Sequence, residues 1–202
     1  RLLAEPQDLK GGTLKLTVIP GRIRHIQFDQ TNADKTHVAR AHSFNALPIK
    51  ESDILNLRDI EMGLENLKRV PTVEADIKIA PADKPNESDL IITWAQKTIP
   101  LRANLTLDDT GGRSTGKYQG GATLSIDNPL TLNDLFYISY GRDVTGYDKV
   151  QTTDEFNNPT GTQHGKTRNW NIHYSVPYGY WQAAFNASGY YYDQAVAGVN
   201  QT

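Results

Sequence analysis

All ten tyrosines of this 202-residue chain lie after residue 117, and twelve of its sixteen glycines lie after residue 108. Charge runs the other way: 28 of the 44 Lys, Arg, Asp and Glu residues fall in the first 100 positions. A break this sharp requires two regions that fold in different surroundings, and it falls around Lys97-Thr98-Ile99-Pro100. The totals bound what either region can do. A formal net charge of -2 offers no polyanion-binding surface, so nucleic acid is not an expected partner. The absence of cysteine excludes thiolate chemistry, disulfides and Cys-based zinc sites. No run of 18 apolar residues exists, which excludes a helical membrane span but not the alternating strands of a barrel. The chain begins at Arg1 with no basic-then-apolar signal segment and reads as an excerpt of something longer.

Residues 1–11 have no period and read as a linker or the end of a preceding domain. Residues 12–98 read as one small domain. From Thr13 the chain alternates, with Leu14, Leu16 and Val18 on one face, and after Pro20-Gly21 it continues through Ile23 and Ile26 as a strand with a bend. Val38, Ala41 and Phe44 suggest a short helix, capped by Asp34 or Thr36. Leu57, Ile60, Leu64 and Leu67 recur at 3-4-3 spacing, so a second helix is expected, capped by Ser52 or Asp53 and closed before Pro71. Val73, Ala75, Ile77 and Ile79 then alternate with Glu74, Asp76 and Lys78 as a half-buried strand. Leu90 to Trp94 is nearly continuous apolar sequence, as a strand flanked by neighbours should be. The order β-α-α-β-β makes a small α+β domain, with two helices on one face of a three-stranded sheet.

Residues 99–202 read as antiparallel strands, about five in number. Leu101 to Asp108 and Tyr118 to Asp127 alternate cleanly. Further apolar sets run through Phe136, Ile138 and Tyr140, through Trp170, Ile172, Tyr174 and Val176, and through Ala183, Phe185 and Ala187. Each segment is about nine or ten residues, the length of a tilted strand across a bilayer. The loop from Arg142 to Lys166 is long and polar, whereas the turn at Pro177-Tyr178-Gly179 is short. Tyr118, Tyr140, Trp170, Tyr178, Tyr180, Trp181 and Tyr190 to Tyr192 sit near strand ends, as interfacial girdles require. A soluble β-sandwich alternates equally well, but strand length, loop asymmetry and the terminal aromatics favour a partial transmembrane β-barrel.

The motifs then point to a family. Gly12-Thr13-Leu14-Lys15-Leu16-Thr17-Val18-Ile19-Pro20-Gly21-Arg22-Ile23, Leu55 to Glu61, Gly63 to Leu67 and Arg69-Val70-Pro71 resemble the last POTRA domain of two-partner secretion transporters. Asp109-Thr110-Gly111-Gly112, Thr115-Gly116, Asp127-Asn128-Pro129-Leu130 and Tyr174-Ser175-Val176-Pro177 resemble the start of that family's barrel. The resemblance runs from about Gln7 to Gln182. It implies an outer-membrane translocation pore with its POTRA domain in the periplasm, bathed in outer-membrane lipid. The implied partner is a secreted exoprotein of the TpsA type (an adhesin, haemolysin or contact-dependent toxin) recognised through its N-terminal secretion domain. Of the family's two POTRA domains and 16 strands, this stretch carries the second POTRA domain and about five strands. The inward-folded loop with the Val-Arg-Gly-Phe/Tyr signature lies beyond it. The same superfamily contains assembly factors for outer-membrane proteins, and a soluble β-rich binding module is a third reading.

No chemistry competes with transport. Nucleophile, base and orienter are nowhere assembled, so no catalytic residue is expected. His25, His37, His42, His164 and His173 form no metal-binding spacing, and no metal or other cofactor is implied. Gly111 to Gly116 lacks the Gly-Lys-Ser/Thr ending of a phosphate loop. The expected partner site is an edge strand, Val73, Glu74, Ala75, Asp76, Ile77, Lys78 and Ile79, to which an extended chain can add. Arg58, Asp59 and Glu61 would flank its groove, although for Arg58 and Asp59 the polar flank of an amphipathic helix is the favoured reading.

Overall fold

The computed structural model describes residues 2–4, 7, 12–29, 43–97, 99–112, 116–144, 149–153, 158–164 and 166–193. Two compact units make up the chain: residues 1–100 with 130–134 and 176–183, and residues 101–129, 135–175 and 184–202.

In the first unit, β1 (Leu2–Leu3) pairs antiparallel with β2 (Thr17–Val18). The long bent strand expected from Thr13 to Ile26 is therefore two strands in different sheets, because β3 (Arg22–Asp29) joins the main sheet. Pro20, which has no N–H to give a ladder, stands between them. Helix α1 is Ser43–Ala46; Val38, Ala41 and the caps Asp34 and Thr36 lie outside the described residues.

Helix α2 spans Leu57–Lys68. Its cap is Asn56, whose side chain accepts from the Arg58 N–H at 3.1 Å. The two expected caps are used elsewhere: Ser52 adopts φ 74° in the preceding turn, and the Asp53 carboxylate accepts from the Lys50 N–H at 2.8 Å. Ile60, Gly63 and Leu67 form the buried stripe. Leu57, counted on that stripe by its spacing, is 59% exposed at the open first turn.

Strands β4 (Val73–Pro81) and β5 (Glu87–Gln96) complete a sheet of order β3-β5-β4, parallel between β3 and β5 and antiparallel between β5 and β4. The continuous apolar run falls in the centre, where Leu90, Ile92 and Trp94 are wholly buried. Helix α2 packs against β4. The β-α-α-β-β order is therefore present as read.

Across the parallel pair, the Arg24 guanidinium grips the Asp89 carboxylate at 2.9 and 2.5 Å and reaches Asp83 at 2.9 Å. The hydrogen bond from Arg24 holds the Asp89 carboxyl below its ordinary range. A carboxylate whose folded pKa is depressed contributes fully above its unfolded value and loses that contribution as pH falls through the folded one. Denaturant midpoints should therefore fall as pH drops below about 4, and Arg24→Ala should flatten that fall. An identical acid limb in wild type and variant would remove Asp89 as its source.

Two segments beyond residue 100 complete the first unit. The Asn45 side-chain amide donates to the carbonyls of Leu132 (2.5 Å) and Pro177 (3.2 Å), and its oxygen accepts from the Asn133 amide (3.2 Å). Asn66 donates to the carbonyls of Ala46 (2.8 Å) and Gly179 (2.7 Å). The Gly179 N–H returns a bond to the Asn45 carbonyl at 2.8 Å. Gly179 sits at φ +55°, with Pro48 3.4 Å from where a Cβ would be, so a side chain there would be strained.

The second unit is built on an antiparallel meander of β6 (Leu101–Asp108), β7 (Gln119–Asp127), β8 (Leu135–Asp143), β11 (Lys166–Tyr178) and β12 (Trp181–Asp193), in order β12-β11-β8-β7-β6. Where a loop was expected between Arg142 and Lys166, β9 (Lys149–Thr153) and β10 (Pro159–His164) form an antiparallel hairpin. Pro177 and Tyr178, expected in the turn, end β11 instead.

Candidate partner-binding edge and membrane face

In the first unit the two margins of the main sheet differ. The margin formed by β3 is covered at its start by residues 52–55: Ser52 N–H donates to the Ile23 carbonyl (2.8 Å), Ile23 N–H to Asp53 (3.0 Å) and Leu55 N–H to Gly21 (2.8 Å). The Glu51 carboxylate accepts from the Ile26 N–H at 3.1 Å. Among the described residues, β4 is paired only with β5, through nine consecutive register partners from Val73–Gln96 to Pro81–Ser88. Among the described residues its other margin has no strand partner, and the Val73 N–H there donates to the Val70 carbonyl at 3.0 Å.

Alternation along β4 divides its side chains. Val73 and Ala75 are buried, Ile77 is half-buried and Ile79 is 43% exposed, all on the face shared with Trp94, Ile92 and Leu90. Glu74, Asp76 and Lys78 point to the opposite face and are exposed. An added strand would thus meet an apolar row that opens toward Ile79 and a charged row behind it.

The helix residues behave differently from one another. Arg58 and Glu61 are exposed. Asp59 lines an open cavity with Arg22, Ser52 to Leu57, and its carboxylate accepts from the Tyr180 hydroxyl. That hydrogen bond raises the Tyr180 phenol above its ordinary pKa. Asp59 is thus engaged by a residue that no sequence pattern pairs with it.

The second unit has its burial inverted. On one face Leu105 is 81% exposed, Leu107 73% and Phe185 61%. On the other, Ser125, Asp127, Asp143 and Ser175 are buried, and Arg102 forks onto Asp127 at 2.9 and 3.1 Å. His173 stacks on Tyr137 (4.7 Å between centroids) and contacts Asn186 (2.6 Å) and Ser175 (2.9 Å) on that polar face. A protein in water does the reverse; apolar side chains outside and a wet, hydrogen-bonded interior belong to a barrel in lipid. No helix among the described residues is long and apolar enough to cross a membrane, which says nothing of strands. Among the described residues no group of three or more His, Asp or Glu is placed to hold a metal ion.

Comparison with known proteins adds the name of the architecture. The haemolysin secretion/activation proteins ShlB/FhaC/HecB match residues 86–202, and the POTRA domain matches residues 22–81. The chain belongs to the ShlB/FhaC/HecB family. It is 40% identical over 202 residues to the outer membrane transporter CdiB-2 of Burkholderia pseudomallei, covering all of this chain and 31% of that one. Its fold matches CdiB of Escherichia coli (TM-score 0.70, 29% identity, all of this chain and 34% of the other). It matches CdiB of Acinetobacter baumannii equally well (TM-score 0.70, 30% identity, 97% and 33%). The chain thus spans about a third of the length of these relatives. As in the rest of the ShlB/FhaC/HecB family, the strands lie in the outer membrane and the POTRA domain in the periplasm.

Proposed function

We propose that this chain is the membrane-proximal POTRA domain and first barrel strands of a pore that recognises a large partner exoprotein and secretes it across the outer membrane. The observation that carries the reading is the uncovered β4 margin on a periplasmic domain of this family. An unfolded exoprotein passing through the periplasm exposes unpaired N–H and C=O groups, and β4 offers the complementary row. Val73, Ala75, Ile77 and Ile79 supply apolar contact for alternate side chains, while Glu74, Asp76 and Lys78 favour a strand of matching charge. Arg58 and Glu61 are assigned to the rim, and Asp59 to the cavity beside it. The reading requires no nucleotide or other cofactor. It places no catalytic step in the chain, and its relatives are transporters.

The test is binding of the exoprotein's N-terminal secretion domain to the full transporter in detergent. Ile77→Pro removes a donor from the open ladder and should weaken binding about tenfold or more, since a lost strand-addition bond and its distorted neighbours are together worth more than 1.4 kcal/mol. Glu61→Ala on the rim should change it little. Equal binding by wild type and Ile77→Pro, with the fold intact, would sink the edge-strand assignment. Failure to bind the secretion domain alongside capture of unfolded barrel peptides would reassign the chain to outer-membrane protein assembly.

A further inference from the structure

The apolar face of the second unit ends in a row that does not suit hydrocarbon. Register pairing runs Ile126–Phe136–Tyr174, then Leu124–Ile138–Ile172, then Ala122–Tyr140–Trp170, and the next row is Gly120–Arg142–Arg168. Arg142 and Arg168 are direct cross-strand partners on one face, and both are exposed. Like charges placed directly opposite each other destabilise a sheet. Among the described residues neither forms a salt bridge. Arg168 lies over the Tyr191 ring at 4.7 Å, and the Arg142 Nε donates to the Asp143 backbone carbonyl at 3.3 Å. Lys166 follows on the same face two residues along β11, and the Lys117 ammonium rests 5.3 Å from the Tyr118 ring, whose residue accepts a backbone bond from Val144. The cation cluster thus sits above an aromatic row and two apolar rows.

Sidedness follows from the chain. Strand β6 leaves the periplasmic domain at Leu101, so the ends of β8 and β11 that carry Arg142 and Arg168 are the outer ends. We infer that Arg142, Arg168 and Lys166 form a binding site for the phosphate groups of an outer-leaflet glycolipid. Guanidinium forks match phosphate oxygens two at a time, and one phosphate between the opposed arginines turns a repulsive pair into a shared clamp. Tyr140, Trp170 and Tyr191 lie where the lipid's first acyl carbons and sugar would rest.

The experiment uses the full transporter in phosphate-free detergent and follows its melting temperature. Three probes are compared: lipid A carrying both phosphates, the same lipid with both removed, and inorganic phosphate at equal concentration. The phosphorylated lipid should raise the melting temperature of the wild type, and the other two should not. Arg142→Gln/Arg168→Gln should bind the phosphorylated lipid about tenfold more weakly or worse. If that double variant does not fold, Arg142→Gln alone carries the same reading, because it removes one cation and relieves the repulsion. Unchanged affinity in the variant that folds, an equal shift with the dephosphorylated lipid, or an equal shift with inorganic phosphate would each overturn the glycolipid site.

Discussion

Replacing Trp94 by Ala is expected to destabilise the first unit by about 4 kcal/mol, a large part of what a domain of this size possesses. Trp94 is wholly buried in the central strand β5, opposite Ala75 of β4 and flanked on its face by Ile92. Truncation would open a cavity next to a small neighbour that cannot fill it. Trp94→Phe should behave quite differently. The indole N–H of Trp94 is buried and meets no acceptor among the described residues. Phenylalanine keeps most of the apolar contact and deletes that unpaired donor, so its cost should be about 1 kcal/mol or less. Amide exchange of β5 in the full protein, with denaturant midpoints, distinguishes the two. Equal losses for Ala and Phe would mean that the indole N–H does have a partner.

Asn45→Ala should be nearly as damaging, at about 3 kcal/mol, because it orphans several buried groups at once. Asn45 is 2% exposed and Asn133 is 1% exposed. The substitution strips partners from the Leu132 and Pro177 carbonyls and from the Asn133 amide together. The Gly179 N–H, which donates to the Asn45 backbone carbonyl, is a local reporter. Its exchange should accelerate in the variant, while the amides of β7 and β8 stay protected. Unchanged Gly179 exchange with unchanged stability would show that water replaces the asparagine at no cost.

How much of this could be read from residue order depends on how local each cause is. Helix α2 and strand β4 were legible because their apolar periods are set by burial on one face, and burial repeats along the segment; β5 was legible from its nearly continuous apolar run, as a central strand shows. The meander was legible for the same reason, its period inverted toward lipid. The β9–β10 hairpin was not, since Lys149–Thr153 and Pro159–His164 carry almost no apolar alternation. Residue order does not single out Asn56 as cap, because Ser52 and Asp53 are equally good cap residues and only the path of the chain along β3 chooses among them. The same path, residues 52–55 against Ile23 and Gly21, closes one sheet margin and leaves β4 as the open one. Alternation from Thr13 to Ile26 suggested one strand because period says nothing about which partner each residue pairs with. The roles of Asn45 and Asn66 had no sequence signal at all, their acceptors being distant in the chain.

That distance sets an order of events. The Asn45 bonds close loops of 87 and 132 residues, and one Asn66 bond closes a loop of 113. Contacts so remote in sequence form late, after the entropy of bringing their ends together has been overcome. A chain entering the periplasm from its N-terminus can therefore assemble β3, β4, β5 and α2 early, but the last buried amides of that unit stay open until Gly179 has arrived. Until then the domain is fastened at only one end, and an encounter with a periplasmic protease or chaperone would find α1 and the start of α2 first.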